Sequence, residues 1–173
     1  MKQYYKIGKI VATHGVKGQL ILEHSLGKKT SLNGLEWLFI EQNNGDFLPY
    51  PITNAKSKNE EETFISIENI DSKEAAQSIL KKEVWIDEID FKKQSSGSAP
   101  ISLLGYTIFD QGEAIGEIIE VIEQPHQVLC KVMLGEKEAL IPVHADSLEK
   151  MDAKNRQLHL NIPEGLLDIY RNS

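Results

Sequence analysis

Apolar and polar residues alternate along most of the chain in short runs. Tyr4–Ala12, Gln19–His24, Leu35–Gln42, Phe47–Ile52, Thr63–Glu68 and Val84–Ile86 are rich in Ile, Val, Phe, Tyr and Trp. Clusters of Gly, Asn, Asp and Lys separate them. Short strands at this spacing predict a closed or nearly closed antiparallel barrel. One stretch has a different period: Ala75, Ala76, Ile79 and Leu80 fall on one helical stripe within Ser72–Lys82. Asp71 and Glu74 stand three apart before it, the spacing of a capping box, and Lys81 and Lys82 suit the dipole at its end. The prediction is six strands and one short helix.

The pattern then breaks. Residues 93–100, Lys-Gln-Ser-Ser-Gly-Ser-Ala-Pro, carry no large apolar anchor and read as a flexible linker. They divide the chain into a first domain, 1–92, and a second, 101–173. The second is again rich in strands. Leu103–Phe109 and Ala114–Ile122, Val128–Leu134 and Ala139–Val143, and Leu148–Met151 and Gln157–Ile162 each flank a turn-forming tetrapeptide, so three hairpins are expected. Pro163–Tyr170 is expected to end the chain as a short turn or helix. The fold class is all-β, with two small antiparallel β-barrels.

Composition narrows the function. The 173 residues include 40% hydrophobic and 26% charged side chains and a single cysteine. That is ordinary globular usage with no disulfide framework and no multi-thiolate metal cluster. No apolar run approaches the roughly 20 residues that span a bilayer, and no signal-peptide core is apparent, so a soluble cytoplasmic monomer is expected. Net charge is −7, which excludes a polycation that binds nucleic acid over its whole surface. The charge is unevenly spread. Residues 1–32 hold six lysines against one glutamate, residues 33–92 six bases against thirteen acids, and residues 93–173 seven bases against twelve acids. The start of the chain suits a polyanion and the remainder a basic protein.

Searches for catalytic chemistry return little. Gly27-Lys28-Lys29-Thr30 resembles the end of a phosphate loop, but Leu22 and Lys29 stand where glycine and a hydroxyl residue are required. Cys130 lies within an apolar strand and reads as a core residue. The five histidines, at 14, 24, 126, 144 and 159, lack metal-ligand spacing, and no cofactor or metal is expected.

The informative segment is Ile7-Gly-Lys-Ile-Val-Ala-Thr-His-Gly-Val-Lys-Gly-Gln-Leu20. Two apolar strands meet at a turn in which Gly15 and Gly18 allow a sharp reversal. His14 and Lys17 sit at its tip, a combination of donors and positive charge that suits a phosphate backbone. Lys9, His14, Gly15, Lys17 and Gly18 are the candidate contacts to nucleic acid; the alternative is an ordinary hairpin with two necessary glycines.

This run resembles the opening signature of the RimM family of bacterial ribosome maturation factors. Leu104-Gly105-Tyr106, Asp110 with Gly112, Ile115-Gly116-Glu117-Ile118, Leu140-Ile141-Pro142 and Pro163-Glu-Gly-Leu-Leu-Asp168 are similar to the PRC-barrel that follows in that family. The resemblance implies a first barrel like the second domain of translation factors, then a PRC-barrel. It also implies a non-enzymatic assembly factor that binds the free small (30S) ribosomal subunit and assists head maturation and 16S rRNA processing. The PRC-barrel would bind small-subunit ribosomal protein nineteen, with Gly105, Tyr106 and Phe109 as the candidate protein contacts. The family commonly has aromatic residues just before the PRC-barrel, where this chain has Ser98-Ala99-Pro100. Two rivals remain: a PRC-barrel adaptor for a membrane or electron-transfer complex, and an enzyme built on a translation-factor-like barrel.

Overall fold

A computed structural model describes residues 2–97 and 99–172, and the chain divides into two units, Met1–Ser102 and Leu103–Ser173. In the first, the strands are β1 (Tyr4–His14), β2 (Gln19–His24), β3 (Trp37–Glu41), β4 (Phe47–Ser57), β5 (Glu62–Ile67) and β6 (Glu83–Asp87). The sheet order is β1-β2-β5-β4-β3-β6, and it closes because β6 pairs with both β1 and β3. Period-two alternation decides which side chains enter the barrel. Along β5, Thr63, Ile65 and Ile67 are buried while Glu62, Phe64 and Ser66 are not. Ile7, Ile10, Leu20, Leu22, Leu38, Ile65 and Ile86 are almost fully buried. Each contributes about 2 kcal/mol by leaving water.

Two helices accompany the barrel, not the one expected. The second, α2 (Glu88–Gln94), follows β6 directly. Its N-cap Asp87 accepts from the backbone N–H of Asp90, and Phe91 is buried. The first, α1 (Lys73–Gln77), is shorter than the predicted stripe, and its cap is Ser72, not Asp71: the Ser72 Oγ accepts from the Ala75 N–H. It stops early because β1 claims the chain beyond it. Lys81 N donates to Ile10 O at 2.7 Å, and Ile10 N donates to Lys82 O at 3.0 Å. Between them Ser78, Ile79 and Leu80 make only tightened i→i−3 bonds.

Residues 93–97 and 99–100 are not the slack linker that their composition suggests (Ser98 lies outside the described residues). Lys93 and Gln94 complete α2, and Gln94 is buried with its amide donating to Asn33 O at 2.8 Å. Ser96 N donates to Leu26 O. Ala99 packs so closely on Gly27 that a Cβ there would lie 2.3 Å from the alanine Cβ. Small residues are here a packing requirement that composition cannot distinguish from flexibility.

The second unit contains β7 (Thr107–Asp110), β8 (Glu113–Gln124), β9 (Gln127–Leu134), β10 (Lys137–Val143), β11 (Leu148–Asp152), β12 (Gln157–Leu160) and α3 (Leu166–Arg171). The three hairpins and the terminal helix are in place, and the protein is all-β with two six-stranded sheets. The sheet order is β10-β9-β8-β7-β12-β11. One pairing departs from the antiparallel expectation: β12 runs parallel to β7, Leu158 opposite Ile108. Hairpin signals speak only for adjacent strands, and this contact joins segments about fifty residues apart. Cys130 is fully buried in β9, and burial pushes its thiol up to about 12, so it is inert.

Candidate nucleic-acid interface

The β1–β2 hairpin carries the candidate contacts. His14 stands opposite Gln19, and residues 15–18 form the turn. Its two glycines have different reasons. Gly15 has φ +72° and open space around it, so only its backbone conformation requires glycine. Gly18 has φ +83° and is buried; a Cβ there would lie 2.4 Å from Ile70 O. The turn is thus clamped at its second end against the segment leading into α1. Val16, 77% exposed, and Lys17 project from the tip.

Lys9 does not join this group. It lies five residues before His14, about 17 Å along the strand. Glu23 is opposite it on β2 and Glu83, which also meets the Lys6 Nζ at 3.4 Å, is opposite it on β6, so two carboxylates stand at its neighbouring cross-strand positions.

The pairing of β2 with β5 brings in a residue that sequence reasoning missed. The ring of Phe64, on the outer face of β5, lies 4.8 Å from that of His14 at an interplanar angle of 48°. Lys56 is directly opposite Phe64 on β4, and the Lys58 Nζ sits 6.0 Å from the phenyl centroid. Lys58 is partly spent on Glu62, at 2.6 Å; that bond and one from Asn59 hold the Glu62 carboxyl below the usual range. Lys17 and Lys56 are exposed and have no ion-pair partner among the described residues. A hollow beside the rings is lined by His14, Gly15, Val16, Lys17, Gln19 and Ser66. The available signal was an aromatic on the polar side of an alternating strand.

In the second unit, Gly105 has φ +83° and donates to Ile118 O at 2.9 Å. Tyr106 faces inward and is only 9% exposed. The Arg156 guanidinium lies 5.1 Å from the Tyr106 ring centroid, and its Nη2 donates to Leu104 O at 2.6 Å. Gly105 and Tyr106 thus form a structural corner. Phe109 is half-buried and stacks on His159 at 5.0 Å and 23°, directly across the parallel β7–β12 pair. On β8–β10, Lys131 lies between Glu120 at 2.8 Å and Glu138 at 3.5 Å. These bonds, chiefly that to Glu120, raise its pKa and keep it charged. Among the described residues no three of His, Cys, Asp or Glu are grouped to hold a metal ion, and no helix is long and apolar enough to cross a membrane.

Comparison with known proteins agrees with this division. Residues 5–91 match the RimM N-terminal domain, and residues 100–166 match the RimM PRC barrel domain. The ribosome maturation factor RimM of Parabacteroides distasonis is 29% identical over 172 residues, covering 97% of this chain and 98% of that protein. That of Staphylococcus saprophyticus is 32% identical over 170 residues, covering 94% and 98%. A solved RimM structure from Pseudomonas aeruginosa aligns over 93% of this chain and 98% of its own at 16% identity, with a TM-score of 0.42. With each half matching its own RimM domain in the same order, the chain belongs to the RimM family.

Proposed function

We propose that this protein is a cytoplasmic, non-catalytic assembly factor that binds the free small ribosomal subunit and assists maturation of its head and processing of 16S rRNA. The observation that carries this reading is the match of both halves to RimM domains, with full-length relatives named as ribosome maturation factors. The β1–β2 turn meets rRNA: Lys17 and His14 supply charge and donors at its tip, and Gly15 and Gly18 hold its shape. Lys9 contributes at a distance, screened by Glu23 and Glu83.

The second unit takes a basic head protein, small-subunit ribosomal protein nineteen. From Leu103 onward there are twelve acids and six bases, and charge of that sign steers a basic partner. Of the three candidate contacts there, half-buried Phe109 is the one whose side chain can touch that partner, and Gly105 and Tyr106 support the strand that presents it.

The test is co-sedimentation of the full chain with free small subunits, large subunits and intact ribosomes at near-physiological salt. Association with free small subunits, in preference to the other two particles, is expected. Equal association with all three, or with none, sinks the reading.

A further inference from the structure

The His14–Phe64 pair has no role in a turn that only grips phosphates. Phe64 occupies a solvent-side position of β5, and His14 is exposed at the end of β1. The two rings touch across β2, between cations on both flanks: Lys17 on the turn, Lys56 and Lys58 on β4 and the loop after it. Gln19 and Ser66, a donor–acceptor amide and a hydroxyl, line the adjoining hollow. Aromatic faces bracketed by lysines, beside polar groups able to meet a base edge, are what single-stranded nucleic acid requires. A protein partner of this surface would have to tolerate the same cations, and the basic proteins of a ribosome would not.

We infer that the His14–Phe64 pair is a stacking platform for one unpaired RNA base. His14 meets the base with its outer face and Phe64 supports it from behind. Lys17 and the turn take the phosphate on one side, and Lys56 takes the next phosphate on the other. This deepens, and rests on, the reading that the hairpin meets rRNA: it specifies an unpaired nucleotide in place of a duplex backbone.

The experiment uses the purified full chain and a fluorescein-labelled, ten-nucleotide single-stranded RNA, followed by fluorescence anisotropy at low salt. A second decamer has abasic sites at alternate positions and the same number of phosphates. The wild type is expected to bind the intact decamer more tightly than the abasic one. His14→Ala should weaken intact-decamer binding roughly tenfold and remove that preference. His14→Phe should keep it, because the ring is retained while the imidazole is lost. Phe64→Leu, which preserves apolar volume, should weaken it with little change in thermal unfolding. Equal binding of the two decamers by the wild type, or a His14→Phe protein as weak as His14→Ala, overturns the platform. So does capture of a ribosomal protein by the wild type but not by His14→Ala, with no RNA bound. Co-sedimentation run in parallel separates the two readings. If the wild type fails to sediment with small subunits, the ribosomal role falls, whereas the decamers test stacking alone.

Discussion

Each unit places a histidine against a phenylalanine on the outside of its sheet, and the two pairs differ in their surroundings. His14 and Phe64 meet at 48° on a closed barrel, with Lys17, Lys56 and Lys58 nearby. Phe109 and His159 meet at 23° on facing residues of parallel strands; Lys150 stands opposite His159, while Asp110 and its partner Glu113, one position on, point to the other side of the sheet. Rings in contact, tilted in the first pair and stacked in the second, are a local packing solution that either sheet can make. The cations on the outer face differ in number: Lys17, Lys56 and Lys58 lie near the first pair, and Lys150 alone stands opposite the second. The supports differ as well. Sheet closure and Gly18 wedged against Ile70 hold the first hairpin, and in the second unit the Arg156 bridge to Leu104 holds the corner at Gly105 and Tyr106.

The comparison breaks most readily at these supports. Gly18→Val combines a left-handed backbone with a Cβ contact of 2.4 Å to a carbonyl and should cost about 3 kcal/mol or more in urea denaturation. Gly15→Ala, strained in backbone but unobstructed, should cost about 1 kcal/mol. Equal losses would refute the clamp at Gly18. In the second unit Arg156→Ala should cost about 1–2 kcal/mol, since it removes a charged hydrogen bond and a cation over Tyr106. The same urea titration, followed by a probe in that unit, checks it.

Charge provides a finer test. Lys17→Gln should lower the slope of log affinity for small subunits against log salt by about 1, as loss of one phosphate contact does. Lys9→Gln, between Glu23 and Glu83, should change that slope less. A larger effect at Lys9 would move the contact down the strand.

The smallest expected effect concerns pH and the barrel. His24 is buried; its Nδ1 accepts from Leu26 N at 3.2 Å, and its Nε2 has no partner among the described residues. Burial lowers its pKa below the 6.5 of the unfolded chain, so a proton binds the unfolded state more readily. Its contribution to stability is complete above pH 6.5 and is lost progressively as pH falls below that value. The urea midpoint should be lower at pH 5.5 than at 7.5, and His24→Gln should reduce the difference. An identical pH response in both proteins would remove His24 from the account.

Alternation and turn residues alone were enough to read the twelve strands, the hairpin tip at Gly15–Gly18 and the burial of Cys130, because each depends on neighbours in the chain. The charge split was legible for the same reason: it needs only counting. Other features depended on contacts between distant segments. Ser72–Lys82 has a helical stripe throughout, yet Ile10 takes the backbone of Lys81 and Lys82 and ends the helix at Gln77. The small residues around Ala99 look slack until Gly27 is placed against them.

By itself the sequence determined an all-β protein in two parts, with a cationic glycine hairpin at its start and a surplus of acid at its end. Tertiary structure decided that β12 lies parallel to β7, that Tyr106 turns inward, that Lys9 stands between two carboxylates and that Phe64 reaches His14. Periodicity records which side of a strand a residue faces, whereas its neighbour across the sheet is set by strand order and register, which arise from the free energy of the whole core.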